Sequence, residues 1–233
     1  MYKNSFSFVT PAYNEQENIR KIVGDAYNFL NRNFSDFEII VVDDGSKDNT
    51  PKVCEELTSA YKDKLIVIRH LKNRGYGAAL RTGLFSAKKD LVFYTDADNQ
   101  FDIKEIVNFM PYIDDYDLVI GYRKNRNDVL LRKLCAFVYN RFIFLLFNLN
   151  VRDIDCSFKL FKRNSLRRLS IDRDEFFVDT ELLLKAKLEN LKIKELPVTH
   201  FPRRAGKSTV KLSNILATLR DIAYLYPKLR VRK

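Results

Sequence analysis

The chain has 233 residues, 46% of them hydrophobic and 30% charged, which excludes a disordered chain and suffices for one large α/β core. Its formal net charge of +11 arises entirely beyond residue 100, because the first hundred residues balance 14 Lys and Arg against 14 Asp and Glu. Residues 201–233 carry nine basic residues and one acid, Asp221, so one face is expected to meet a polyanion: lipid, nucleic acid or phosphate.

The elements follow a βα rhythm. Ser5–Thr10 reads as a strand, and Asn18–Asn31 as a helix with Ile19, Ile22, Val23, Ala26, Phe29 and Leu30 on one face. Phe37–Val42 is a continuous apolar strand of the kind buried on both sides. A helix near 50–60, strand Leu65–Arg69, a helix near 77–88 and strand Leu91–Thr95 come next. A helix near 103–113 and strand Asp117–Gly121 complete the series. The pattern predicts a Rossmann-like α/β fold with a mainly parallel sheet flanked by helices, whose ligands bind beyond the carboxyl ends of the strands. After the polar loop Arg123–Asp128 come the apolar stretch Leu130–Leu149, a β-like segment Phe158–Phe161, a helix near 178–190 and strand Lys192–Val198. An amphipathic segment near 211–226 precedes the terminal KLRVRK.

Cys54, Cys135 and Cys156 are widely spaced, no C-x-x-C occurs, and there are two histidines. A zinc site and a disulfide framework are not expected, and a reducing cytosol is. Asn14, Glu15 and Glu17 interrupt any leader-like apolar run, and no segment reaches the roughly 18 uninterrupted apolar residues of a membrane span.

Polar groups follow successive strands: Thr10–Glu15, Asp43–Ser46 and Asp96–Gln100. Asp96 and Asp98 form a D-x-D. Alternate residues of an extended segment project to one side, so two carboxylates can share a hard divalent ion, Mg²⁺ or Mn²⁺, completed by diphosphate oxygens. Gln100 can add an amide oxygen. A D-x-D alone is a solvated turn more often than a metal site, but its place after an apolar strand favours the metal. Asp43 and Asp44 can bind a base or ribose, or simply form a strand-to-helix turn with Ser46 or Asp48 capping the next helix. Gly75 and Gly77 open a helix and permit close backbone approach to a ligand. The third glycine of a dinucleotide fingerprint is absent.

Together these segments resemble the GT-A glycosyltransferases of family 2, and within them the dolichol-phosphate mannosyltransferases and polyprenyl-phosphate glucosyltransferases. The resemblance runs through VTPAYNEQENI, IIVVDDGSKDNT, KNRGYGAALRTG and YTDADNQFD, then GYRKNR, RDIDCSFKLFKR, FFVDTELLLKAK and ELPVTHFPRRAGKST. It implies a nucleotide pocket lined by Pro11, Tyr13, Glu15 and Asp44, with Asp43 and Gly75 beside them. It implies metal binding by Asp96, Asp98 and Gln100, with Asp98 counted among the catalytic groups. Arg123 and Arg132 are expected to meet the acceptor phosphate, and Arg204 and Lys207 to close over the donor diphosphate. Arg126 reads as a solvated surface charge.

The implied reaction moves a hexose from a UDP- or GDP-sugar to a polyprenyl or dolichyl phosphate, by in-line displacement with inversion. A lipid phosphate is already ionised and needs no base, so Asp155, Asp179 or Glu181 can equally bind sugar or fix loops. With a hydroxyl acceptor, on a saccharide or protein, Asp179 or Asp155 would serve as general base. The expected organisation is a single domain, 1–233, with a nucleotide-sugar half (1–121) and an acceptor- and membrane-facing half (122–233).

Relatives often carry transmembrane helices. None is evident here, so a peripheral protein on the cytoplasmic side of a membrane is expected, with a membrane-anchoring partner protein as a further option. Leu130–Leu149, apolar but broken by Arg132, Lys133, Asn140 and Arg141, reads equally as an interfacial helix or a core helix. The basic tail can add attraction to anionic lipid. No nucleic-acid partner is expected, because the basic residues form no recognised nucleic-acid motif.

Overall fold

The computed structural model describes residues 1–124, 130–175, 177–203 and 222, with 130–133 described by backbone only. Seven strands form one sheet: β1 (Phe6–Ala12), β2 (Phe37–Asp43), β3 (Leu65–Arg69), β4 (Leu91–Thr95), β5 (Leu118–Arg123), β6 (Phe158–Lys162) and β7 (Ile193–Val198). Their spatial order is β3-β2-β1-β4-β6-β5-β7. All neighbours run parallel except β6, which is antiparallel to both β4 and β5.

The sheet is buried because its central strands are apolar on both sides. Every residue of β1, β2 and β4 is buried. Helices α1 (Ile19–Asn33) and α2 (Thr50–Tyr61) cover one face, with Ile22, Val23, Leu57 and the aromatic cluster Phe6, Phe34, Phe93 and Phe158 between the layers. The other face carries α3 (Tyr76–Ser86), α4 (Leu130–Phe147), α5 (Arg163–Leu166) and α6 (Val178–Leu188). Their core holds Leu80, Ile143, Leu166, Leu182 and Leu183, together with Ile222 from the tail. The three cysteines are free.

The stretch expected as a helix near 103–113 is instead two 3₁₀ segments, Ile103–Asn108 and Met110–Tyr112. Pro111 removes a backbone donor there, which blocks continuous α-helical bonding. The apolar stretch after residue 130 is helical, and Phe158–Phe161 is a full strand of the sheet. The amphipathic segment near 211–226 lies outside the described residues apart from Ile222.

Candidate active site

The carboxyl ends of β1, β2, β4, β5 and β7 meet at one edge, and the reversal of β6 brings residues 153–157 to the same edge. Asn14 and Asn99 adopt positive φ (56° and 57°), the left-handed conformation that Asn tolerates better than most residues. They turn the chain sharply after β1 and β4.

Asp96 sits at the centre. Tyr76 Oη donates to its Oδ1 (2.8 Å) and Ser157 Oγ to its Oδ2 (2.6 Å). Part of Asp96 stays open to the cleft, while the surrounding protein desolvates it and raises its pKa. Burial and the Asp96 charge push the Tyr76 hydroxyl well above the phenol range, so it remains a donor. Asp98 Oδ1 accepts the Gln100 N–H (3.1 Å), and its Oδ2 lies 4.0 Å from the Arg203 guanidinium. Burial first, and then Asp96, raise the Asp98 carboxyl to about 7. Arg203 also pairs with Glu15, which in turn accepts from Asn18 Nδ2 (2.6 Å). Gln100 and Phe201 exchange hydrogen bonds, Phe201 N–H to Gln100 O (2.8 Å) and Gln100 Nε2 to Phe201 O (3.0 Å). Residues 199–203 therefore lie along the D-x-D.

These residues fit a divalent ion. Two desolvated carboxylates crowd each other, and Asp98 Oδ2 meets only the end of a guanidinium. Mg²⁺ and Mn²⁺ commonly use one or two carboxylates and take the rest of their shell from water and phosphate. Among the described residues no cluster of three or more His, Cys, Asp or Glu that could hold a metal ion is found.

Asp44 is placed differently from a simple pocket wall. Its Oδ1 accepts the Arg74 N–H (2.9 Å) and lies 2.6 Å from His70 Nδ1, and its Oδ2 accepts the Gly75 N–H (2.9 Å). Gly75 has φ +99°, and an added Cβ would come within 2.4 Å of Asp174 O, so only glycine is accommodated. Asp43 Oδ1 accepts the Ser46 N–H (2.9 Å), while Asp48 Oδ1 bonds Thr50 N–H at the start of α2. Pro11 is buried within β1, and Tyr13 is half-buried at its end.

Beyond β4 the cleft is lined from β5 and β6. Arg123 forks onto Asp153, Nε to Oδ2 and Nη2 to Oδ1, both 2.6 Å. The Asp153 hydrogen bonds and charge hold that guanidinium firmly protonated despite its burial. Asp155 is exposed at the turn before β6, yet the protein around it desolvates its carboxyl, and with Asp179 nearby its pKa rises to about 6. Asp179 Oδ1 accepts from Tyr94 Oη and Lys159 Nζ. Glu181 is fully buried and faces away, accepting from the N–H groups of Asp172 and Arg173 and from Lys185.

The structure thus brings Glu15, Asp96, Asp98 and Gln100 together, with Asp44 and Gly75 on one flank and Arg123 and Asp179 on the other. The Arg132 side chain, Arg204 and Lys207 lie outside the described residues. Sequence reasoning gave no role to Tyr76, Tyr94, Ser157, His70, Arg203 or Lys159. Lys159 had a readable signal, a single charge inside the apolar run Phe158–Phe161.

A profile described as glycosyl transferase family 2 matches residues 7–170. The chain belongs to this family. It is a GT-A glycosyltransferase, and it is similar to the dolichyl-phosphate beta-glucosyltransferase of Homo sapiens, with 30% identity over 94% of this chain and 74% of that one. The corresponding protein of Saccharomyces cerevisiae is 26% identical over 90% of this chain and 70% of its own. In fold it is similar to glucosyl-3-phosphoglycerate synthase of Mycobacterium tuberculosis, crystallised with Mn²⁺, UDP-glucose and phosphoglyceric acid. There the TM-score is 0.67 at 19% identity, covering 97% of this chain and 80% of that one.

Proposed function

We propose that this glycosyltransferase moves glucose from UDP-glucose to the phosphate of a dolichyl or other polyprenyl chain, at the cytoplasmic face of a membrane. The observation that carries the reading is the edge itself: two desolvated carboxylates, Asp96 and Asp98, at the same end of the sheet as a guanidinium already oriented at Arg123. The similarity to dolichyl-phosphate beta-glucosyltransferases supports glucose and the lipid phosphate.

Asp96 and Asp98, with the Gln100 amide oxygen, would hold Mg²⁺ or Mn²⁺. The ion would supply neutralisation of the charge that develops on the leaving diphosphate. The chain's own residues do the rest. Asp44 fixes the Gly75 loop so that its backbone can approach the donor. Arg123, oriented by Asp153, presents its remaining donors to the acceptor phosphate. Arg132, Arg204 and Lys207 would add charge around the two phosphate groups. The phosphate attacks as an anion, the anomeric configuration inverts, and positioning and electrostatics lower the barrier. Residues 1–121 serve mainly the donor and 122–233 the acceptor.

Helix α4 supplies the lipid contact. Leu134, Phe137, Val138 and Leu145 are each more than half exposed, while Ile143 on the opposite side is fully buried. No described helix is long and apolar enough to cross a membrane, so this face would lie in the interface.

The test is glucose transfer to dolichyl phosphate, with UDP-glucose and GDP-mannose offered separately with Mn²⁺ or Mg²⁺. A glucolipid formed from UDP-glucose is expected. Asp155, exposed and raised to about 6, favours one competing reading, a hydroxyl acceptor with Asp155 as base. Transfer to a saccharide hydroxyl and not to phosphate lipid would establish that alternative.

A further inference from the structure

We infer that Lys159 is a positioning residue whose buried ammonium sets the acceptor side of the cleft. The inference rests on the lipid-phosphate reading for its functional consequence, but not for its geometry. Lys159 is fully buried in β6, so nothing entering the cleft can touch it. A buried ammonium is costly unless each of its protons finds an acceptor. Here all three do: Ile154 O (3.0 Å), Cys156 O (2.6 Å) and Asp179 Oδ1.

The two carbonyls bracket Asp155 and fix the turn that enters β6. From that turn Asp153 reaches Arg123, and Ser157 reaches Asp96. One ammonium therefore places the partner of the acceptor guanidinium and the exposed Asp155 carboxyl. It also fixes Asp179, leaving Oδ2 as the oxygen not held by Lys159 and Tyr94. An apolar side chain would satisfy the packing of β6 but none of these placements.

The test is Lys159→Met, checked for folding by circular dichroism. It is followed by calorimetry with UDP-glucose and Mn²⁺, hydrogen exchange over 153–157, and kinetics with dolichyl phosphate. Donor affinity should stay within about threefold. Exchange at 153–157 should quicken at least about tenfold, and kcat/KM for the lipid phosphate should fall about a hundredfold, the scale of an ångström-sized misplacement. Exchange and kcat/KM both within about threefold of the parent would overturn the inference. So would loss of donor affinity in step with activity, the mark of a general structural role. If that variant does not fold, Lys159→Gln, which keeps a side-chain donor without the charge, is used instead, and the same two outcomes decide on it. Failure of the parent to glucosylate any phosphate lipid would sink the functional reading alone, since the exchange data judge Lys159 independently.

Discussion

The carboxylates at the two sides of the cleft are neutralised by different means. On the proposed acceptor side two of them have their own cations: Asp153 holds the fork of Arg123, and Asp179 holds buried Lys159. On the donor side Asp96 is held by two neutral hydroxyls, and Asp98 has only Arg203 at 4.0 Å. Those two pairs are complete before any ligand arrives. Among the described residues, Asp96 and Asp98 are held mainly by dipoles, and a cation entering with a diphosphate would balance their charge. A site that must take up and release a charged donor cannot keep its own tightly paired counter-ion there.

The largest effect expected from this contrast is at Asp98. Asp98→Asn should lower transfer by about a thousandfold or more, and donor affinity measured by calorimetry should lose its dependence on Mn²⁺. Donor affinity that still responds to Mn²⁺ would erase the distinction between the two sides. Next comes Arg123→Met, which should cost about a hundredfold in kcat/KM for lipid phosphate while leaving donor affinity unchanged. Loss of donor binding in that variant would place Arg123 on the wrong side of the comparison.

A pH measurement sharpens the contrast further. The Asp98 pKa is raised in the folded protein to about 7, above the usual carboxylate value, so the folded state binds the extra proton. The group therefore favours folding below about pH 4 and loses that contribution as pH rises towards 7. Denaturation in EDTA should show stability contributed by this group falling across that window, and Asp98→Asn should flatten the slope. The smallest effect belongs outside the cleft. Phe137→Glu with Leu145→Glu should reduce binding to anionic vesicles by about tenfold, with stability changed by only about 0.5 kcal/mol and turnover on detergent-dispersed lipid retained.

Most of the sheet was legible because its strands are short apolar runs flanked by polar turns. Phe37–Val42 and Leu91–Thr95 could be read directly, as could the D-x-D that follows β4. The helix expected near 103–113 failed because periodicity is blind to the missing donor at Pro111. The supporting contacts were illegible for another reason: Ser157 and Tyr76 reach Asp96 from 61 and 20 residues away, and no local pattern encodes that meeting. The exposure of α4 was also undecidable, since its apolar residues occur on both its inward and outward sides.

The backward course of β6 has a consequence for how such an enzyme can change. A parallel strand offers its outgoing loop to the ligand edge, but β6 offers the segment by which the chain arrives. On the proposed reading, the acceptor wall is thus joined to the scaffold through α4 on one side and β6 on the other, apart from the loops assigned to the donor. Lengthening or replacing the stretch between Asn148 and Ser157 would redraw which acceptors fit while leaving sugar-nucleotide recognition in place, a modularity built from the direction of one strand.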